Sequence, residues 1–111
     1  MIIHKSFADG RWYTFSLFDQ LGNVGTDVER AINWKKRGET DDSEKALVRG
    51  LELLDLTIKD PKNKNRRKEL FRIKEALLDY FYGNNQYGFT DEAWQQYFYC
   101  YAYASAIQKG R

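Results

Sequence analysis

Histidine and cysteine, which proteins often use for catalysis and for binding transition metals, each occur once in this chain of 111 residues. His4 lies near the amino terminus, and Cys100 lies among aromatic residues in a helical pattern. A zinc site or a cysteine–histidine nucleophile pair would need partners that the chain lacks. We therefore expect no metal site and no cofactor, and we interpret Cys100 as a buried, inert thiol.

Carboxylates at helical spacing are the other candidates for chemistry. Glu52 and Asp55 are three residues apart, and Glu75 and Asp79 are four apart. Di-iron bundles combine inward carboxylates with Glu-x-x-His pairs, which this chain cannot form. We interpret the first pair, and Asp27, as solvent-facing charges. Serine-hydrolase, phosphate-loop and dinucleotide glycine patterns are also absent, so we expect no catalytic residues and a protein that is not an enzyme.

Positive charge is concentrated in one part of the sequence. Residues 59–74 include eight basic and two acidic residues, a net charge of +6, whereas the rest of the chain sums to −4. Such a surface can bind phosphate backbones, although a solvated basic turn that serves only solubility is an equally good interpretation. The candidate nucleic-acid-binding residues are Lys62, Lys64, Arg66, Arg67, Lys68 and Arg72.

Four segments must position these residues, and each carries apolar residues at the spacing of an amphipathic helix. They cover approximately residues 11–36, 41–59, 65–82 and 90–109. Short connections between them predict an all-α fold, an up-down-up-down four-helix bundle that forms a single domain over residues 1–111. In that topology the basic turn shares one end of the bundle with four more cations, namely Lys5, Arg11, Lys109 and Arg111.

Local signals indicate where these helices begin and how they pack. Asp41 is the expected amino-terminal cap of the second helix, and Asn63 or Asn65 that of the third. Gly22 and Gly25 lie inside the first segment, where each glycine costs about 1 kcal/mol relative to alanine. We interpret them as a site of close approach by a neighbouring helix, or as a kink.

The fourth segment is apolar on nearly every side between Phe98 and Ala104. A helix with this pattern is normally buried all round, which a four-helix monomer cannot achieve for each helix. Aromatic residues are enriched in subunit interfaces, so we favour a homo-oligomer over a monomer. Trp94, Tyr99 and Tyr103 are the candidate interface residues.

Two features indicate the compartment. A single cysteine excludes an intramolecular disulfide and suits a reducing interior. The first residues do not form a signal peptide, and no run reaches the length of about 18 apolar residues that a membrane span needs. We therefore expect a cytoplasmic protein without a membrane partner.

Much of the chain resembles a family of short bacterial all-helical proteins to which no activity is attached. The resemblance rests on the run RWYTFSLFDQLGNVG at 11–25, on DVERA at 27–31 and on WK at 34–35. It continues through residues 46–60 and through DYFYG at 79–83. It implies a helical fold and a bacterial origin, and no function.

These observations lead to three hypotheses. The first is a non-enzymatic oligomeric bundle that contacts nucleic acid, or a nucleic-acid-processing partner, through its basic end. The second is a protein–protein adaptor or antitoxin-like partner that uses the aromatic fourth helix. The third, which we favour least, is a small-molecule site between helices, lined by Trp12, Tyr13, Trp34 and Trp94.

Overall fold

The computed structural model describes residues 10–110 and confirms the expected all-α four-helix bundle. Two short 3₁₀ turns accompany the four α-helices, and the part of the chain described here contains no strand. No helix among these residues is both long and apolar enough to cross a bilayer. The helices are α1 (Leu17–Lys36), α2 (Thr40–Lys59), α3 (Arg67–Tyr82) and α4 (Asp91–Gln108), and the 3₁₀ turns are Arg11–Thr14 and Pro61–Arg66.

Consecutive helices run antiparallel, and α4 returns to pack on α1, which closes the bundle. Two ion pairs define the α1–α4 contact. Lys36 at the end of α1 lies 3.5 Å from Asp91 at the start of α4, and Lys109 after α4 lies 2.8 Å from Asp19 in the first turn of α1. The basic turn therefore lies at the end of the bundle where α1 begins and α4 finishes.

The helix boundaries differ from the sequence-based expectation in the first segment. The chain is a 3₁₀ turn over Arg11–Thr14, becomes extended at Phe15, and enters α1 only at Leu17. Ser16 ends the irregular stretch because its hydroxyl accepts a hydrogen bond from the backbone N–H of Asp19 at 3.1 Å.

Two predicted helix caps are wrong. The second helix starts at Thr40, one residue before Asp41, and its cap residue Glu39 makes no side-chain capping bond. The third helix starts at Arg67, after the 3₁₀ turn. Neither Asn63 nor Asn65 caps that helix, because Asn63 lies inside the turn with its side chain 2% exposed.

The core lies between all four helices and is closed at one end by the first 3₁₀ turn. α1 supplies a continuous apolar stripe, and Trp12 and Trp94 fill the largest volumes near opposite ends of the bundle. The buried apolar side chains include Leu21, Val24, Val28, Ile32, Leu53, Leu54, Ile58, Leu70, Ile73, Leu77, Trp94 and Phe98.

Gly22 and Gly25 lie where α4 crosses α1, which confirms the expected close approach. A Cβ atom at Gly25 would lie 2.4 Å from the Cβ of Phe98, a separation that real side chains do not adopt. At Gly22 the nearest atom would be the Cα of Ala102 at 3.5 Å, an ordinary contact. Glycine is therefore required at position 25 for α4 to approach α1 this closely.

Candidate functional site

The basic turn between α2 and α3 begins at Asp60 and Pro61 with a specific local structure. Asp60 is extended, as expected for a residue before proline, and Pro61 is the first residue of the 3₁₀ turn. The Asp60 side chain caps the turn, because its Oδ1 accepts a hydrogen bond from the backbone N–H of Lys62 at 3.1 Å. Asp60 and Pro61 therefore determine the backbone conformation of the turn that carries the cations.

A buried polar network holds this turn against the rest of the bundle. Gln20 Nε2 donates to the Asp60 carboxylate at 2.8 Å and to the Trp12 carbonyl at 3.1 Å. Asn63 Nδ2 donates to Gln20 Oε1 and to the Thr57 carbonyl, both at 2.9 Å. The Trp12 indole N–H donates to Thr57 Oγ1 at 3.0 Å. All five side chains are at most 3% exposed, so each buried polar group has found a partner.

Lys62 belongs to this network rather than to a free basic surface. Its ammonium group forms an ion pair with the Asp60 carboxylate and donates to the Tyr13 carbonyl at 3.0 Å. Burial would raise the pKa of Asp60, but the hydrogen bonds from Lys62 and Gln20 outweigh it and hold this pKa below its ordinary value. This role of Lys62 was not predicted, because the only signal for it in the sequence is an aspartate before a proline.

Arg66 and Arg67 are also engaged within the protein. The Arg66 guanidinium donates to Glu69 Oε2 at 2.7 Å and to the Tyr101 hydroxyl at 3.1 Å, which links the start of α3 to α4. The hydrogen bond and charge of Arg66 lower the pKa of Glu69, even though partial burial opposes this shift. Arg67 Nε donates to the Ile58 carbonyl at the end of α2, at 3.0 Å. Three of the six candidate phosphate-binding residues therefore have structural partners.

The other three candidates form an exposed strip, which we call the basic strip. It consists of Lys64, in the second 3₁₀ turn, and of Lys68 and Arg72, which lie about one turn apart on α3. Within residues 10–110 none of the three makes an ion pair or a side-chain hydrogen bond. Phe71 follows Lys68 by three residues on α3, which places the two side chains on neighbouring positions of the helix surface, and 49% of Phe71 is exposed, an unusual fraction for a phenylalanine. Unpaired cations and an exposed aromatic ring therefore share one surface.

The remaining cations at this end of the bundle add less to the basic surface than the topology suggested. Lys109 is paired with Asp19, whose pKa stays below its ordinary value because bonds from Lys109 and Ser105 outweigh the effect of burial. Arg11 lies in the first 3₁₀ turn at this end. The predicted contributions of Lys5 and Arg111 fall outside the described residues.

The outer face of α4 is the second candidate surface. Tyr99 and Tyr103 are 62% and 57% exposed, and their rings stack with centroids 6.2 Å apart. Ile107 continues this face one turn later and is 57% exposed. Cys100 is exposed as well, which contradicts the expectation of a buried thiol. We call these four residues the α4 face.

Trp94 is not part of that face, contrary to the sequence-based assignment. Its side chain is fully buried, stacked on Phe89 at 4.2 Å and on Phe98 at 6.0 Å between ring centroids. The error arose because aromatic residues occupy every side of α4, so that the sequence could not show which side faces the core. The indole N–H of Trp94 has no hydrogen-bond partner in the part of the chain described here.

A groove of about 510 Å³ lies between α1 and α4, and Tyr99 of the α4 face is one of its lining residues. Gly25, the almost completely buried Trp94 and Phe98, and the acidic residues Glu29 and Glu92 are among the residues that line it. Its remaining lining residues are Thr26, Val28, Ile32, Gln95, Gln96, Tyr99 and Ala102.

Two further interpretations are not realised. Trp12 and Trp94 lie near opposite ends of the bundle, so the four aromatic residues of the small-molecule hypothesis do not line one site. Asp27 is 4% exposed rather than solvent-facing, and it forms ion pairs with Arg30 at 3.5 Å and with Arg49 at 3.9 Å.

No cluster of three or more potential metal ligands occurs within residues 10–110. The chain matches no family model, no curated protein and no solved structure.

Proposed function

We propose that this protein is a non-enzymatic bacterial helical bundle that contacts nucleic acid through the basic strip. The observation that carries the proposal is that Lys64, Lys68 and Arg72 form no ion pair with any of residues 10–110, in contrast to the paired cations around them. Unpaired cations on one surface are available to phosphates, and each phosphate contact releases condensed counterions.

The surroundings of the basic strip support a single-stranded ligand. Phe71 offers an exposed ring three residues after Lys68 on α3, and bases stack on such rings when they are not paired in a duplex. The buried network around Asp60 fixes the turn that carries Lys64, so little conformational entropy is lost when this turn binds a ligand. The proposed setting is the cytoplasm, and the proposed state is a homo-oligomer.

The direct test is fluorescence anisotropy with short single- and double-stranded DNA and RNA, titrated across a range of salt concentrations. Lys68→Gln combined with Arg72→Gln should weaken binding to unrelated sequences alike, because phosphate contacts do not read bases. For single strands the slope of log K against log salt should become shallower by about 1.4, since each lost contact removes about 0.7.

A matched control removes the same charge elsewhere. Arg37→Gln combined with Lys45→Gln changes two exposed cations near the opposite end of the bundle and should leave the salt slope unchanged. Phe71→Ala should weaken single-strand binding by about tenfold without altering the slope, because it removes stacking rather than charge. Absence of binding by any probe at low salt would overturn the proposal, and an equal loss in the control would exclude the basic strip as the site.

The alternative function is a protein–protein adaptor or antitoxin-like partner that binds through α4. The observation that favours it is the exposure of Tyr99, Tyr103 and Ile107, because large apolar side chains grouped on one face often mark an interaction site. Binding of a separate protein that is lost on substitution of Tyr99, with nucleic acid failing to bind, would make this alternative the leading one.

A further inference from the structure

The groove between α1 and α4 carries two exposed carboxylates that have no partner among residues 10–110. Glu29 lies on α1 and Glu92 in the first turn of α4, and both line the groove. Neither forms an ion pair or a side-chain hydrogen bond within this part of the chain, whereas the neighbouring Asp91 is paired with Lys36. Of the described residues that line the groove, none is a lysine or an arginine. The groove therefore keeps two negative charges that its own lining does not neutralise.

The packing of α1 against α4 places these two carboxylates on opposite walls of the groove at nearly the same level. The reference point is the close contact between Gly25 and Phe98. From this contact Glu29 is four residues further along α1, and Glu92 is six residues back along α4. Because the two helices run antiparallel, both steps lead toward the same end of the bundle, and the two backbone positions differ by only about 3 Å along its axis. One positive charge seated between the walls can therefore be approached by both side chains.

The rest of the groove is largely apolar. Trp94 and Phe98 are almost completely buried and stack with ring centroids 6.0 Å apart, and Tyr99 adds an exposed ring. Val28 and Ile32 line the groove from α1. Pockets for small molecules combine such a lining with a few polar groups, and the volume of about 510 Å³ lies within their usual range. Aromatic rings also attract cations, so the lining and the carboxylates favour the same kind of ligand.

We propose that this groove binds a small organic amine in its protonated form. The ammonium group lies between Glu29 and Glu92, and the hydrocarbon body of the ligand lies against the aromatic residues of α4. An ammonium group has three N–H donors and no acceptor, which matches two carboxylates without other donors. A divalent metal ion would need more ligands, and no cluster of three potential ligands occurs within residues 10–110. The site is separate from the basic strip, so it does not depend on the proposed contact with nucleic acid.

Titration of the full chain with phenethylammonium, followed by ¹H–¹⁵N NMR, tests the site. The side-chain N–H of Trp94 should shift on binding, whereas that of Trp12, near the other end of the bundle, should not. Two matched probes separate the two parts of the ligand at constant ionic strength. 2-Phenylethanol replaces the ammonium group with a hydroxyl, and methylammonium lacks the aromatic body. Each should bind at least about tenfold more weakly, because one loses the ion pairs and the other loses the apolar contact.

Substitution of the two carboxylates tests their role. Glu29→Gln combined with Glu92→Gln should raise the dissociation constant of phenethylammonium by about tenfold, since each exposed ion pair contributes a factor of about three. The same variant should bind 2-phenylethanol as the wild type does, which shows that the groove is intact. Glu39→Gln combined with Asp42→Asn is the matched control, because it removes two exposed carboxylates that do not line the groove. It should leave the affinity for phenethylammonium unchanged.

Four results would overturn the proposal. The first is that phenethylammonium at millimolar concentration shifts no signal of the groove. Equal affinity for 2-phenylethanol would remove the role of charge, and equal affinity for methylammonium would remove that of the rings. An equal loss of affinity in the control variant would show that the overall charge of the protein, rather than the groove, attracts the amine.

Discussion

The two candidate surfaces of this protein differ in whether their side chains have partners within the protein. At the basic turn, buried polar atoms of Gln20, Asp60 and Asn63 all have partners, and even the neighbouring cations Lys62 and Arg66 are bound within the protein. On the outer side of α4, Tyr99 and Tyr103 stack on one another, and more than half of each side chain is exposed.

This difference indicates what each region contributes. A satisfied polar network in the interior specifies one conformation, because any alternative leaves buried donors or acceptors without partners. An exposed apolar face specifies nothing within the protomer and gains stability only when something covers it. Substitutions in the buried network at the basic turn should therefore reduce folding stability, whereas substitutions on the α4 face should affect association.

The largest expected effect follows from removing the carboxylate at the centre of the network. Asp60→Ala should lower the free energy of unfolding by about 3 kcal/mol, because Gln20 and the backbone N–H of Lys62 lose their acceptor. Urea denaturation monitored by circular dichroism measures this change.

The α4 face supplies the control for that comparison. Tyr103→Ser, measured at a concentration where the protein is a protomer, should change the free energy of unfolding by no more than about 0.5 kcal/mol. If the two variants lost similar stability, the proposed division between a structural region and an association surface would be incorrect.

A smaller effect should arise where the inner side of α4 crosses α1. Gly25→Ala should destabilise the protein by about 2 kcal/mol, because the added methyl group would overlap the Cβ of Phe98. Gly22→Ala is the control and should stabilise it by roughly 0.5 kcal/mol, since its new contact is ordinary and alanine favours the helix. Thermal denaturation of both variants tests this explanation. If α1 did not tolerate alanine in place of glycine at either position, both variants would lose stability.

The smallest effect concerns pH. The pKa of Asp60 lies below its ordinary value of 3.8, so the unfolded chain binds this proton more readily than the folded protein does. The stability that Asp60 contributes is therefore complete above the ordinary pKa and is lost as pH falls through the lower folded pKa.

Asp60→Asn should accordingly lose less unfolding free energy than the wild type when pH is lowered from about 6 to about 3. Urea titrations at the two pH values give this difference. Asp19 shifts in the same direction through its own partners, so the variant should keep part of the acid sensitivity. An identical loss in both proteins would show that Asp60 does not contribute to it.

Much of the bundle follows from the sequence, because four apolar periodicities joined by short connections leave few ways to bury their stripes. The tight contact at Gly25 was also accessible, since a glycine inside a helix needs a packing reason. The irregular local structure was harder to predict from the sequence. The break at Phe15 and Ser16 interrupts a pattern that remains periodic, and the network around Gln20 depends on residues up to 45 positions apart.

The candidate sites illustrate the same limit. A count of charges located the basic turn, but it could not distinguish Lys62, which pairs with a buried carboxylate, from Lys64, which has no partner within residues 10–110. On α4, aromatic residues on all sides concealed that Trp94 faces the core while Tyr99 and Tyr103 face outward. Which side chains pair with each other depends on their distances in the folded protein, and the composition of the sequence carries no information about those distances.

The hydrogen bond between Trp12 and Thr57 has a consequence for how the chain loses order. It joins two positions 45 residues apart and closes the open end of the α1–α2 hairpin, so this pair of helices is tied together at both ends. By contrast, the ends of α4 are tied to α1 through ion pairs such as Lys36–Asp91, whose lysine side chain is half exposed. Partial unfolding should therefore leave the closed α1–α2 hairpin as the last cooperative unit.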